Sequence, residues 1–149
     1  MAVDFKVVMD CQDPHSLAPF WAQAMGYVVE DNSPLIEQLL GAGAVPEQAT
    51  VTVDDRRAWA TLAAVRHPDD PYDELSGGGR GRRILFQQVP EKKAGKNRVH
   101  LDLHVGTDNL ESEAERLESL GATVLARVQE QGGTWITLAD PEGNEFDIT

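Results

Sequence analysis

The sequence of 149 residues is poor in cysteine, in basic side chains and in long apolar runs. Its single cysteine, Cys11, cannot form a disulfide within the chain, which fits a reducing cytoplasm. The 25 acidic residues outnumber the 13 basic ones, and the net charge of −12 argues against nucleic acid or an anionic membrane as a partner. No apolar run approaches the roughly 18 residues that a membrane helix needs. The sequence therefore predicts a cytoplasmic protein that binds neither nucleic acid nor a membrane.

A unit of strand, helix, glycine and strand occurs twice along the chain. In the first copy, an apolar strand at 5–11 precedes an amphipathic helix that ends at Gly26. In the second copy, a strand at 99–105 precedes a helix that Asp108 can cap and that ends at Gly121. A unit that appears twice in the same order suggests duplication of one module.

Further strands are predicted after each copy of this unit. They lie at 50–53, 59–65 and 83–89 in the first half, and at 123–129, 134–138 and 145–148 in the second. Residues 34–40 predict a short helix, and residues 67–82, rich in Asp, Pro and Gly, predict a mobile loop. One helix cannot cover both faces of a four-stranded sheet, so we expect two modules to pack their sheets together with the helices outside.

Three segments of the sequence resemble a known protein family. They read Met-Gly-Tyr-Val-Val at 25–29, Lys-Asn-Arg-Val-His-Leu-Asp-Leu at 96–103, and Leu-Ala-Asp-Pro-Glu-Gly-Asn-Glu-Phe at 138–146. Together they are similar to the vicinal oxygen chelate superfamily, which includes glyoxalase I, extradiol dioxygenases and bleomycin-resistance proteins. More narrowly, they resemble its glyoxalase-like domain branch. The resemblance covers nearly the whole chain apart from residues 32–80.

This resemblance implies an α+β fold of two βαβββ modules, whose curled mixed sheets form a cupped cavity with the helices outside. We therefore expect a single glyoxalase-like domain over residues 1–149. Module one is expected at about 1–90, with an insertion at about 32–80, and module two at about 96–149. Because family members pair modules within or between chains, the resemblance also favours a homodimer.

The resemblance further implies where a metal site would lie. Active members commonly hold a divalent metal in the cup through one residue from the first and last strand of each module. These positions fall on His100 and Asp147 in module two, and on Lys6 and Gln87 in module one, or Gln88 if the register slips by one. An ammonium group cannot ligate a metal, and a neutral amide is a weak ligand. We therefore expect no metal cofactor at the usual position; if one is bound, His100 and Asp147 remain to hold it.

Polar residues alternate with apolar ones along the strand predicted at 99–105. His100, Asp102 and His104 therefore face the same side. Three interpretations stay open. These side chains satisfy one another and the backbone, or they line a polar binding pocket, or they form a shifted metal site or an acid–base pair, with Asp147 across from them.

The favoured function is binding of a small organic molecule in the sheet cavity without the usual metal site. The candidate ligand-binding residues are Lys6, Gln87, His100, Asp102, His104 and Asp147. One alternative is a divalent-metal-dependent lyase, isomerase or dioxygenase; another is a resistance-type binder that sequesters a drug. No catalytic residue is assigned, because no nucleophile with a supporting base is evident in the sequence.

Two other groups are weaker candidates for ligand contact. Arg80, Arg82 and Arg83 follow a glycine run, where they could reach an anionic ligand or simply remain solvated. Trp59 and Trp135 lie on predicted strands, one in each module, where they could stack on a flat ligand or pack within the sheet.

Overall fold

A computed structural model describes every residue from Met1 to Thr149. It contains ten β-strands and three α-helices. The chain divides into two compact units, Met1–Glu91 and Lys92–Thr149. None of the three helices has the length and apolar composition required to cross a membrane.

The first unit is a four-stranded sheet with one helix of its own and an inserted segment. Its elements are β1 (Val7–Cys11), α1 (Pro14–Met25), β2 (Val28–Val29), α2 (Ser33–Gly41), β3 (Thr50–Val53), β4 (Arg56–Trp59), β5 (Leu62–Arg66) and β6 (Arg83–Gln88). The sheet has the strand order β1-β6-β5-β2, in which β1 and β6 are parallel and the other pairs antiparallel. Strands β3 and β4 form a separate hairpin. Without α2 and this hairpin, the unit is a βαβββ module.

The second unit repeats this connectivity without the insertion. Its elements are β7 (Asp102–Leu103), α3 (Leu110–Leu120), β8 (Thr123–Glu130), β9 (Gly133–Ala139) and β10 (Glu145–Ile148). The sheet order β7-β10-β9-β8 again places the first and last strands side by side and parallel. The predicted α+β fold of two βαβββ modules is thus confirmed. The cupped arrangement and the single-domain boundaries stay predictions.

Local chemistry explains why helix α1 begins and ends where it does. The Asp13 carboxylate accepts hydrogen bonds from the backbone N–H groups of His15 (3.0 Å) and Ser16 (3.2 Å), and Pro14 occupies the first helical turn. Gly26 ends the helix in the left-handed region, at φ 68°. The buried face of the helix includes Leu17, Ala18, Phe20, Trp21 and Ala24.

Three predicted details are wrong, each because of contacts between distant parts of the chain. The strand predicted at 99–105 keeps only the two residues of β7, since β10 offers it parallel partners only there. The run at 59–65 divides into β4 and β5, because the chain leaves the hairpin and enters the main sheet at residues 60–61. Asp108 does not cap α3: a 3₁₀ turn precedes that helix, and Asn109 takes the cap position.

The loop at 67–82 is anchored to the first unit at several points. The Gly79 backbone N–H donates to Glu30 Oε1 at 2.8 Å, and the Arg83 guanidinium donates to both oxygens of the same carboxylate at 2.6 and 2.8 Å. The side chain of Glu30 is fully buried. A buried carboxylate is costly unless its oxygens are satisfied, so the loop is part of the packing of this unit. The Gly- and Asp-rich composition of the loop predicts mobility, but one of its glycines, Gly79, donates to the buried Glu30 carboxylate.

Replacing Gly77 by alanine is expected to destabilise the protein by about 2–4 kcal/mol. The new Cβ would lie 2.2 Å from the Asp31 carbonyl oxygen, and φ at this position is +73°. Gly78→Ala is the matched control, because its Cβ would meet only the Ser76 hydroxyl, at 3.2 Å. Urea denaturation measures both variants. Equal losses of stability would contradict a close-packed loop at Gly77.

Candidate functional site

The closing turn of the second unit sets the position of β10. The Asp140 carboxylate is buried and accepts the backbone N–H groups of Glu142 (2.9 Å) and Asn144 (3.0 Å). Along the strand that follows, Phe146 and Ile148 are buried. Because side chains alternate along a strand, Asp147 lies on the opposite face. We call the face of this sheet that carries Asp147 the open face.

Strand register brings Asp147 next to polar residues of two other strands. It lies opposite Asp102 on β7 and opposite Thr137 on β9. The Thr137 hydroxyl donates to Asp147 Oδ1 at 2.6 Å, which fixes that carboxylate. Asp147 is 15% exposed, so it is held within the sheet surface rather than free in solvent.

His100 completes this arrangement, which we call the His100 cluster: His100, Asp102 and Asp147. The Nε2 atom of His100 lies 3.4 Å from Asp102 Oδ1 and 3.5 Å from Asp147 Oδ2. The side chains of His100 and Asp102 are 43% and 49% exposed. The cluster is therefore anchored at Asp147 and accessible to a ligand at the other two residues.

The backbone around His100 is held by bonds outside the regular strand, since β7 begins only at Asp102. On one side, the Leu101 carbonyl accepts the Asp147 N–H at 2.9 Å. On the other side, the Asn97 N–H donates to Glu145 Oε2 at 3.0 Å, and Lys93 Nζ lies 3.2 Å from the same oxygen. Glu145 thus ties the segment leading to His100 onto β10.

The environment of Glu145 favours its charged form. Burial acts to raise the pKa of this carboxyl, but the Asn97 N–H and the Lys93 ammonium outweigh it and hold the pKa below its ordinary value. The ionised carboxylate is therefore the form that keeps the segment at 93–97 in place.

The donor atoms of the His100 cluster suit a divalent cation. One imidazole and two carboxylates contribute ligand atoms that all lie within 4.8 Å of one another. Ligands around one ion, at bond lengths of about 2.0–2.2 Å, lie about 3.0–3.6 Å apart. The two distances from His100 Nε2, 3.4 and 3.5 Å, fall in that range. Such a mixed nitrogen and oxygen set fits manganese, iron or zinc.

The first unit offers no comparable set at the positions expected from the family resemblance. Lys6 precedes β1 and is exposed, and Gln87 is exposed on β6 opposite Asp10 of β1. In the second unit, His100 lies two residues before the partner of Asp147; the same spacing from Gln87 leads to Val8, not to Lys6. Neither a lysine nor a valine can supply a ligand beside Gln87.

The remaining predicted residues have other partners. His104 Nδ1 lies 2.9 Å from the Thr149 hydroxyl, outside the His100 cluster. Two arginines of the loop and the first residue of β6 are each paired with a carboxylate: Arg80 with Asp73 at 3.2 Å, Arg82 with Asp70 at 2.7 Å, and Arg83 with Glu30 at 2.6 Å. The hydrogen bond from the Arg82 side chain holds the pKa of Asp70 far below its ordinary value. Arg80 and Arg82 therefore stabilise the loop internally, whereas Arg83 binds Glu30, the residue to which Gly79 of the loop also donates.

Sequence reasoning missed Thr137 and Glu145. Thr137 lies two residues after Trp135 on β9 and therefore shares its face, and both side chains are half-buried. Glu145 stands two residues before Asp147 and so shares its face. The alternation along both strands was the available signal, although only the register assigns each residue its partner.

Glu145→Gln is expected to reduce the acid sensitivity of the fold. A carboxyl whose pKa is lowered by folding contributes stability above its ordinary pKa of 4.5, and this contribution is lost as the pH falls through the lower folded value. Urea denaturation between about pH 6 and pH 3 should therefore show a shallower loss of stability in the variant. Glu130→Gln, at an exposed position without a partner, is the control and should follow the parent protein. Identical pH profiles for all three proteins would contradict this role of Glu145.

Comparison with known proteins shows which family this chain belongs to. A family model described as a glyoxalase-like domain matches residues 6–149. No curated protein matches the sequence. Among solved structures, the hypothetical protein SA1046 from S. aureus is similar at a TM-score of 0.60 and 14% identity, covering 99% of this chain and 93% of that one.

Two further structures have the same fold. A glyoxalase/bleomycin resistance protein/dioxygenase family enzyme from Burkholderia phytofirmans PsJN has a TM-score of 0.60 and 16% identity, over 96% of this chain and 94% of that one. A mutant of the fosfomycin resistance protein FosX from Listeria monocytogenes, complexed with Mn(II) and 1S,2S-dihydroxypropylphosphonic acid, has a TM-score of 0.59 and 9% identity, over 99% and 90%. At such identities the likeness concerns the fold alone. The family model covers nearly the whole chain, and the chain therefore belongs to the glyoxalase-like domain family of the vicinal oxygen chelate superfamily.

Proposed function

We propose that this protein binds a small organic molecule at the His100 cluster, on the open face of the second unit. The observation that supports this function is the convergence of His100, Asp102 and Asp147 at distances of 3.4 and 3.5 Å. Three polar groups from separate positions in the chain meet there, and two of them, His100 and Asp102, are accessible to a ligand. Convergent polar groups of this kind are typical of ligand sites.

The cluster has hydrogen-bonding capacity that the chain itself does not use. Asp147 Oδ1 accepts a hydrogen bond from Thr137, whereas the Asp102 carboxylate contacts only His100 Nε2, at 3.4 Å, and no hydrogen bond engages His100 Nδ1. A ligand with hydroxyl or amide groups would supply donors to the carboxylates and a partner to the imidazole. The bond from Thr137 keeps Asp147 in one orientation before the ligand arrives, which lowers the entropic cost of binding.

Metal-free binding is supported by Lys6 and Gln87, which occupy the metal positions implied by the family resemblance and are poor metal ligands. Lys6 and Gln87 of the first unit stay predicted ligand-binding residues. His104 is left out of the proposed site because of its contact with Thr149. The cytoplasmic location, the homodimer and a drug-sequestering role stay predictions.

A second candidate function is that of a divalent-metal-dependent enzyme. It is favoured by one observation, the donor set of the His100 cluster with its ligand-like spacing. His100, Asp102 and Asp147 would hold the cation, which would supply Lewis-acid polarisation of a substrate oxygen. The FosX protein complexed with Mn(II) and a dihydroxypropylphosphonic acid lends support by analogy of fold. In this function Thr137 would orient Asp147, and Glu145 would hold the segment that carries His100.

Metal content separates the two candidates. Protein purified without chelator is expected to contain well under one equivalent of manganese, iron, nickel or zinc when measured by plasma mass spectrometry. Stoichiometric metal that is lost in Asp102→Asn would contradict metal-free binding and favour the enzyme. Asp108→Asn, an exposed acidic residue outside the cluster, is the control for adventitious binding.

Ligand binding at the cluster is measured by thermal shift across a panel of small polar metabolites. A ligand at a hundredfold excess over its Kd should stabilise the native protein by about 2.7 kcal/mol and raise its Tm by several degrees. His100→Ala should abolish the shift, because the imidazole is the centre of the cluster. His104→Ala is the matched control on the same chain segment and should preserve it. A ligand that raises the Tm of both variants equally binds elsewhere, and that result would contradict binding at the His100 cluster.

A further inference from the structure

We propose that the inserted segment of the first unit builds a second binding site, for a small organic ammonium compound. A cavity of about 370 Å³ opens beside the β3–β4 hairpin, the start of α2 and the N-terminal end of α1. Its volume lies within the range of small-molecule pockets. The second unit has the same βαβββ connectivity without α2 and the hairpin, so the insertion is what creates this cavity.

The charges around the cavity indicate which ligand it would take. The other charged lining groups are paired within the chain: Glu30 with Arg83 at 2.6 Å, Asp31 with Arg56 at 3.0 Å, and Arg57 with Glu47 at 2.9 Å. Asp54 also lines the cavity, and its carboxylate has neither a hydrogen bond nor an ion pair in the chain. One negative charge is therefore left for a ligand to neutralise, whereas no arginine is left to receive an anion.

His15 contributes a second acceptor to the same cavity. Its Nε2 lies 2.7 Å from the Trp59 carbonyl oxygen, and this hydrogen bond is partly buried. A carbonyl only accepts hydrogen bonds, so Nε2 carries the hydrogen, and in the neutral ring Nδ1 is then an acceptor. His15 makes no other side-chain hydrogen bond, which leaves Nδ1 for an N–H donor of the ligand.

The rest of the cavity wall is suited to a hydrocarbon body. Val29, Val53, Ala58 and Ala63 line it. An ammonium group would therefore meet Asp54 and His15, while an aliphatic or aromatic portion would cover these four side chains. This site belongs to the first unit and uses no residue of the His100 cluster, so its test is independent of the function proposed there.

The turn that carries Asp54 supplies a matched pair of variants. Asp54 and Asp55 are adjacent in the hairpin turn, with φ of 47° and 62°, but only Asp54 lines the cavity. Asparagine is favoured at both positions of such a turn. Asp54→Asn and Asp55→Asn therefore remove the same charge from the same turn, and neither substitution strains the backbone.

The test is titration of the full ¹⁵N-labelled chain with benzylamine and, in parallel, with neutral benzyl alcohol, followed by NMR. Benzylamine should shift the amide resonances of Ala58 and Ala63, and these shifts should saturate with a Kd below about 10 mM. Benzyl alcohol should bind at least fivefold more weakly. Asp54→Asn should weaken benzylamine binding by about fivefold or more, whereas Asp55→Asn and His100→Ala should change it by less than about twofold.

Three results would overturn the proposal. Equal affinities for benzylamine and benzyl alcohol would remove the role of the ammonium group. Equal losses in Asp54→Asn and Asp55→Asn would show that the acidic surface attracts the cation without a defined site. The absence of saturable shifts around the cavity would mean that the cavity does not bind this class of compound.

Discussion

The parallel pairing of the first and last strands of the second module is the constraint on which its candidate site depends. It brings Asp102 and Asp147 side by side, although they are far apart in the sequence. A slip of one residue would turn Asp147 toward the face of Phe146 and Ile148, which is buried. The closing turn held by Asp140 precedes β10 directly and so sets where that strand begins. The pairing, the turn and the alternation along β10 together place one carboxylate under His100.

Features that depend on neighbouring residues could be predicted from the sequence, and features that depend on strand register could not. The cap at Asp13, the left-handed end at Gly26 and strand β10 follow from local chemistry. The short β7 and the division of the run at 59–65 follow from which partner each strand finds. The same distinction holds in the candidate site: alternation and the family resemblance predicted His100, Asp102 and Asp147 as candidates, but only the register assigns Thr137 and Glu145 their partners.

The two modules share one connectivity and differ in what their extra residues do. The second unit places donor groups on the open face of a compact sheet. The first unit has Asp10 opposite Gln87 but Val8 at the position that matches His100, and its additional elements form the hairpin, helix α2 and an anchored loop. Glu30 joins these parts, because its buried carboxylate needs both the Arg83 guanidinium and the Gly79 N–H of the loop. The insertion is thereby tied to the sheet at β6.

Both candidate sites are acidic, but the way in which their carboxylates are held favours different ligands. The net charge of −12 raises the local concentration of every cation and cannot by itself select one. At the His100 cluster, Asp147 is held by Thr137 and three polar side chains converge, which suits a polar ligand that meets several groups in fixed positions. Asp54 lies in an exposed turn beside an apolar wall and has no partner in the chain, which suits a single ammonium attached to a hydrocarbon. The two proposed sites therefore differ in how rigidly each carboxylate is held and in what surrounds it.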